Sequence, residues 1–526
     1  MVFLLIISIF IEYYPHCDCE SYSNRKETNA TFHFMEGLPG DMRRTRIIGT
    51  IGPASDDPET LKTLIREGLD ITRLNYSHGD LDGKTELFAK VRAAEKEVGK
   101  YVGILADLPG PKLRLGQFEG TVNLENGQMI TLDCGVQEAD EVIIDGEVVL
   151  PVPYDGLSLN LRVDDPILLA DGLVCLKVVD APHEVASKVG CVVIDSGPLS
   201  SRKGINVPAT IVDLPSVGPK DKAAIAHALE HDVDFIAVSY VRTAEDLRPA
   251  KEAIDAAGLR TPIIAKIEHP AALKDLDAIV DAADILMVAR GDLGVEIPLE
   301  RVPAAQERIL AAGMARGKPV IIATQMLESM CDNPRPTRAE VTDVATAIRQ
   351  GASAVMLSGE TASGKHPITA IKTMAKIAIA MDEEVRDLGE SPALARFQST
   401  RAVSTAAISL AAGSNADHLM FATEHGTAPR LAAAIRPQQR IFAITNRIRA
   451  CRRVTILPGV IGVHVEELED AVDTLTSASV KMLANGDVKP GEKVVAVTGA
   501  PLAMTGRTNT IRLLEIGDDG NLMDLE

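Results

Sequence analysis

The chain has 526 residues, 46% hydrophobic and 24% charged, a globular composition with room for about three domains. A net charge of −20 excludes a general nucleic-acid binder, which needs a basic surface, but leaves room for a local basic pocket that holds small phosphorylated ligands. With no Trp and 3% aromatics, platforms for stacked bases are excluded too.

The N-terminal run "VFLLIISIFI" is shorter than the roughly 20 residues a membrane span needs. It also lacks the basic flank and small-residue cleavage site of a secretory signal. Residues 1–41 therefore read as an upstream extension, with Met42 of "MRRTRIIGT" as the expected start and the cytoplasm as the expected location. Mass spectrometry of the native N-terminus tests this. Cys17, Cys19, Cys134, Cys175, Cys191, Cys331 and Cys451 form no C-x-x-C pair and are odd in number, which reads as free thiols in a reducing compartment.

Eight short apolar runs follow: "RIIGTIG" (46–52), "DITRLN" (70–75), "YVGILADL" (101–108), "DFIAVSYV" (234–241), "PIIAKIE" (262–268), "ILMVARGD" (285–292), "PVIIATQ" (319–325) and "AVMLSGE" (354–360). Each is nearly continuous in apolar residues, as strands covered on both faces are. Helical patterns lie between them. "DPETLKTLIREG" has Asp56 or Asp57 as N-cap, Pro58 in the first turn and Gly68 past the end. Eight β/α alternations predict a closed (β/α)8 barrel of the TIM type over 42–110 and 211–386. The connection after the third strand is far too long. "TVNLENGQMITL", "EVIIDGEVVL", "ILLADGLVCLKVV" and "GCVVID" are short strands with turn signals, so 111–210 reads as an inserted all-β lid. After a long helix at 367–386, "HLMFATEHG", "RIFAITN", "GVIGVHV", "EKVVAVTGA" and "NTIRLLEIG" alternate with helical patterns, predicting an open α/β domain over 390–526.

In such barrels the site lies at the C-terminal strand ends. Read there, the second run carries Arg73, Asn75 and Ser77 on one face, and the third ends at Asp107. The fifth carries Lys266 and Glu268, again two apart and so on the same side of the strand. The sixth ends at Asp292, the seventh at Thr324 and Gln325, the eighth at Ser358 and Glu360. Any one such residue is an ordinary solvent cap. Six strand ends carrying opposite charges and hydroxyls need another account, because buried charges must be paired or bind an ion. Glu268 and Asp292 are hard oxygen ligands suited to Mg²⁺, with Mn²⁺ as its substitute, and the absence of a His cluster argues against zinc. Arg73 and Lys266 beside that metal suit a phosphoryl group in transfer. Gly291 permits close approach of a ligand to the backbone, with a helix start expected just after it.

"TIGPAS", "RLNYSHG", "IIAKIEHP", "MVARGDLGVEIP" and "ATQMLESM", in this order, resemble the pyruvate kinase family, and the resemblance covers about 42–526. It implies phosphoryl transfer from phosphoenolpyruvate to ADP in a homotetramer. By motif position it implies Lys266 as the residue stabilising the phosphoryl group, Glu268 and Asp292 as Mg²⁺ ligands, and Arg73 as the phosphate-binding Arg. Gly291, Asp292 and Thr324 match the contacts to the substrate carboxylate, and Thr324 and Ser358 lie near the carbon that gains a proton. Asn75, His78, Arg114 and Lys203 match nucleotide contacts, and Asn75, Ser77 and Asp107 match potassium ligands. One stretch departs. Where many members read D-T-K-G-P-E-I-R, this chain reads "DLPGPKLR"; Leu108 lacks a hydroxyl and Lys112 brings its own cation, so Lys112 is expected to replace potassium. In the C-terminal domain the family's sugar-phosphate loop appears as "TEHGTAP". Thr423, Gly426 and Thr427 favour a phosphorylated effector, with Arg507 of "TGRTNT" assisting, while Glu424 and Pro429 disfavour one. Two rival readings are a Mg²⁺-dependent lyase, which gives no role to a lid with nucleotide contacts, and a silent paralogue, which predicts damage at Lys266, Glu268, Asp292 or Thr324.

Overall fold

The computed structural model describes residues 43–181, 187–208, 214–384, 398–466, 471–499 and 508–525. The N-terminal extension and Arg507 lie outside the described residues. Eight parallel strands close into a barrel: β1 (Arg46–Thr50), β2 (Ile71–Asn75), β3 (Gly103–Asp107), β4 (Phe235–Val238), β5 (Ile263–Ile267), β6 (Ile285–Ala289), β7 (Val320–Ala323) and β8 (Ala354–Leu357). Around the ring the order is β1-β8-β7-β6-β5-β4-β3-β2. The helix Pro58–Arg66 shows how the local signals act: Asp57 is the N-cap, its carboxylate accepting the Thr60 N–H at 3.0 Å, and Pro58 fills the first helical position.

The barrel interior is built in layers. Ile48, Ile71, Leu105, Phe235, Ile264, Ile285 and Ile321 are all buried and form its apolar part. Each such side chain contributes about 1.5–3 kcal/mol by leaving water. Two residues further along β2, β3 and β5, on the same face, stand Arg73, Asp107 and Lys266. The upper layer therefore forgoes apolar burial for charge, and does so at the C-terminal mouth.

The insertion after β3 forms a seven-stranded sheet and a two-stranded one. Its hairpin Ile143–Ile144/Glu147–Val152 turns on Asp145 (φ 52°) and Gly146 (φ 87°), both left-handed, as a two-residue hairpin turn requires. The C-terminal part is a six-stranded sheet: β9 (His418–Ala422), β10 (Arg440–Thr445), β11 (Val460–His464), β12 (Lys493–Thr498), β13 (Thr510–Ile516) and β14 (Leu522–Asp524), in the order β11-β10-β9-β12-β13-β14. The first four are parallel, and β13 and β14 run antiparallel at one edge. Sequence reading missed β14, which has three residues and no apolar run.

Asp70, just before β2 and 2% exposed, is ringed by Arg43 Nη2 at 2.8 Å, Lys100 Nζ at 3.3 Å and Arg46 Nη1 at 3.6 Å. Burial alone would raise its carboxyl, but Arg43, Lys100 and Arg46 together pull it well below the usual range. A depressed folded-state pKa means that the stabilisation is present above the unfolded value of about 3.9 and is lost as pH falls below it. Asp70→Asn is expected to cost about 3 kcal/mol at neutral pH, by leaving three cations without their counter-charge, and to blunt acid unfolding below pH ~4. Urea titrations of both chains at pH 7 and pH 3 check this; equal midpoints at pH 7 contradict it.

Candidate active site

The residues singled out at the strand ends converge at the barrel mouth because register aligns those ends. Asn75 pairs with Asp107 across β2 and β3, and Ala289 with Ala323 across β6 and β7. Lys266 is the hub. Its ammonium lies 2.9 Å from Glu268 Oε1 and 3.1 Å from Asp107 Oδ1, and donates to Ser239 Oγ at 2.7 Å. Burial works against its charge, but Asp107 and Glu268 outweigh burial and hold the ammonium above its ordinary range. Arg73 reaches Asp107 Oδ2 through Nε at 2.6 Å and Thr50 Oγ1 through Nη1 at 2.9 Å. Burial would raise Asp107, yet Lys266 and Arg73 keep it below the usual carboxylate range, so it is ionised between two cations.

Glu268 stands one residue past β5 and is 1% exposed. Its Oε2 accepts the Tyr240 N–H at 2.7 Å. Burial raises its carboxyl, Lys266 opposes this, and the charge of Asp292 raises it further. Asp292 sits in the first turn of the helix Arg290–Glu296, which begins directly after β6 rather than after Gly291. A buried carboxylate raised by burial and by the charge of a second carboxylate beside it is a donor set that a divalent cation relieves. The chemistry of the set fits Mg²⁺, a hard cation that takes one or two carboxylates and completes its shell with waters and substrate oxygens.

The end of β7 is held in a strained turn. Thr324 (φ 67°) and Gln325 (φ 53°) are both left-handed, at about 1–3 kcal/mol each, and Thr is β-branched. The Thr324 hydroxyl accepts the Gly291 N–H at 2.7 Å and donates to Ala323 O at 2.7 Å. A methyl on Gly291 would sit 3.2 Å from that hydroxyl, a tight approach that would push the hydroxyl aside. Arg290 Nη2 clamps the turn through Thr324 O at 2.9 Å and Gln325 O at 3.0 Å, while its Nη1 pairs with Asp343 at 2.7 Å. After β8, Glu360 accepts the N–H groups of Ser358 at 2.7 Å and Leu327 at 3.0 Å, and the Ser358 hydroxyl is buried with no hydrogen-bond partner among the described residues.

The family model for the pyruvate kinase barrel domain matches residues 42–371, and that for the pyruvate kinase alpha/beta domain matches 401–514. The chain is 39% identical to the pyruvate kinase of Agrobacterium vitis over 90% of its own length and 99% of that protein. It is also 39% identical to the pyruvate kinase of Geobacillus stearothermophilus, over 90% and 81%. A crystal structure of a pyruvate kinase from Cryptosporidium parvum superposes with a TM-score of 0.81 at 31% identity, covering 90% of this chain and 96% of that one. The chain belongs to the pyruvate kinase family. It is therefore a kinase that transfers phosphate to ADP, on the barrel, β-lid and α/β plan of pyruvate kinases.

The remaining residues singled out by motif fall in four places. Arg114 and Lys203 share the lid stem: Arg114 bridges Gly204 in antiparallel fashion, and Leu115 N–H donates to Lys203 O at 2.8 Å. His78 and Ser77 are exposed beyond β2, with the Ser77 N–H donating to Asn75 Oδ1 at 3.0 Å. Lys112 lies elsewhere than beside Asp107. Its ammonium is 3.0 Å from Asp171 and 3.6 Å from Asp292, on the opposite flank of the mouth, while Arg73 and Lys266 take Asp107. In the C-terminal sheet domain, the loop 423–427 is closed on itself by the Gly426 N–H donating to Thr423 Oγ1 at 2.9 Å, and Glu424 is paired with Arg447. Among the described residues no helix is long and apolar enough to cross a membrane.

Sequence reading missed Ser239, Tyr240, Arg290 and Thr50. Ser239 had a signal: it is the polar residue two places past Ala237 in an apolar run, on the face that carries Lys266 in β5. Arg290 had none, because its partners Asp343 and the Thr324 turn lie in distant parts of the chain.

Proposed function

We propose that the chain transfers the phosphoryl group of phosphoenolpyruvate to ADP, giving pyruvate and ATP, with Mg²⁺ held by Glu268 and Asp292. The observation that carries this reading is the Lys266 ammonium, buried at the barrel mouth between Asp107 and Glu268. A fixed positive charge in a dry site is worth most where charge spreads over phosphoryl oxygens, because it needs no reorganisation during transfer. Bound Mg²⁺ adds neutralisation of those oxygens. Arg73, pinned by Thr50 and Asp107, orients the phosphate. The helix start at Gly291 and Asp292, with Thr324, receives the substrate carboxylate. The Thr324 and Ser358 hydroxyls flank the carbon that takes a proton from water. The lid carries Arg114 and Lys203 to the nucleotide, and Asn75 and His78 meet it from β2 and the loop after it. A coupled assay is the test: pyruvate formed from phosphoenolpyruvate only when ADP is present supports the transfer. Pyruvate without ADP would favour a lyase, and none at all a silent paralogue.

Potassium is proposed to be unnecessary. Lys112 places a tethered ammonium at the mouth beside Asp292, supplying by charge what a free monovalent cation would bring, although it does not occupy the Asn75, Ser77 and Asp107 set. Activity in sodium, potassium or a bulky organic cation is expected to agree within about threefold, and Lys112→Glu to become about tenfold or more activated by potassium. A wild-type rate that rises tenfold only with potassium contradicts this. A homotetramer and a phosphorylated effector at Thr423, Gly426 and Thr427 complete the proposal. The Glu424–Arg447 pair closes that loop, so activation by a sugar phosphate is expected to require its opening.

A further inference from the structure

Tyr240 lies just past β4 in the left-handed region (φ 55°), where a non-glycine residue is held only by its surroundings. Its two polar ends point to different parts of the site. The N–H donates to Glu268 Oε2 at 2.7 Å. The hydroxyl donates to Glu296 Oε1 at 2.8 Å and accepts from Asn206 Nδ2 at 2.6 Å. Asn206 Nδ2 also donates to Glu296 Oε1 at 2.7 Å, closing a triangle. Both amide hydrogens are used, and a flipped amide would set two oxygens against each other, so the orientation is fixed by the network.

The three corners belong to three separate parts of the fold. Asn206 is on the strand by which the lid returns to the barrel, three residues past Lys203. Glu296 is one turn beyond Asp292 on the same helix. Tyr240 follows β4 and braces Glu268. The two lid stems are paired here, Ile205 N–H donating to Leu113 O at 2.9 Å, and they flank a small cleft lined by Pro111, Leu113, Ile205 and Val207 together with Tyr240 and Glu296. Asn206 is 3% and Glu296 5% exposed, so losing one bond of the triangle leaves a largely buried polar group short of a partner.

We infer that Tyr240 is a positioning residue that pins the lid stem, through Asn206, to the helix bearing Asp292 and Glu296, and so holds the lid's nucleotide contacts in place over the barrel mouth. The inference rests on the phosphotransfer reading above. Tyr240 acts through Asn206 on the lid and through Glu268 and Glu296 on the barrel.

Tyr240→Phe keeps the ring and the N–H to Glu268 and removes only the hinge pin. The expected result is a rise of about five- to tenfold in KM for ADP, with KM for phosphoenolpyruvate within about twofold and Tm within ~3 °C of wild type. Asn206→Ala is expected to give the same split, and the double variant to lose little more than either single one. Unchanged KM for ADP, a parallel rise of both KM values, additive effects in the double variant, or failure of Tyr240→Phe to fold each overturns the assignment. A wild-type chain with no ADP-dependent turnover would instead overturn the functional reading beneath it.

Discussion

Lys266→Met is expected to lower kcat by about 10³-fold or more at saturating phosphoenolpyruvate, ADP and Mg²⁺. Loss of one neutral donor to a developing charge typically costs about 10²–10³ in rate, and a full charge in a water-poor site counts for more. Lys266 is such a charge, held by Asp107 and Glu268 and aimed by the Ser239 hydroxyl. Breaking a buried ion pair usually costs about 3–5 kcal/mol of stability, but two features soften the loss here. Asp107 keeps Arg73, and Glu268 keeps the Tyr240 N–H and is already raised by burial, so it can take up a proton. The variant should therefore fold with a Tm lowered by only about 5 °C. Steady-state kinetics and calorimetry separate the two effects: intact turnover in a folded variant removes Lys266 from the chemistry.

Glu268→Gln should weaken divalent-cation binding by about tenfold or more and lower kcat/KM at fixed Mg²⁺ by about 10²–10³-fold. The amide oxygen preserves the bond from Tyr240 N–H, so the backbone around the site is expected to stay in place. What is lost is one of two carboxylate charges that a hard cation needs, and one of the two partners of Lys266. Mn²⁺ binding by calorimetry, without substrates, reads the metal site separately from turnover. Unchanged affinity would exclude Glu268 as a ligand and leave it as a counter-ion for Lys266. Chelation of divalent ions should abolish wild-type activity and restore it on Mg²⁺ addition.

The sequence was legible wherever its signals were local. Nearly continuous apolar runs of six to eight residues named all eight barrel strands, because a strand buried on both faces has no other pattern. The i, i+2 spacing of Lys266 and Glu268 foretold one face, and their groups lie 2.9 Å apart. Turn residues Asp145 and Gly146 marked a hairpin in the lid, and Asp57 and Pro58 the start of a helix. The short edge strand β14 escaped because its pairing with β13, not its composition, makes it a strand.

Lys112 shows the limit most clearly. Its place in "DLPGPKLR" suggested the neighbourhood of Asp107, five residues back. The chain turns at Gly110 (φ 68°), and the ammonium meets Asp171 from the lid and Asp292 from the helix after β6 instead. The left-handed turn at Thr324 and Gln325, and the Tyr240–Asn206–Glu296 triangle, were equally invisible beforehand. Element order, barrel closure and the polar character of the strand ends were written in the chain itself, since hydrophobic period and turn chemistry act between near neighbours. The partner of each charge was settled only by the closed barrel and its lid, because an ion pair depends on ångström distances between segments that are far apart in the chain.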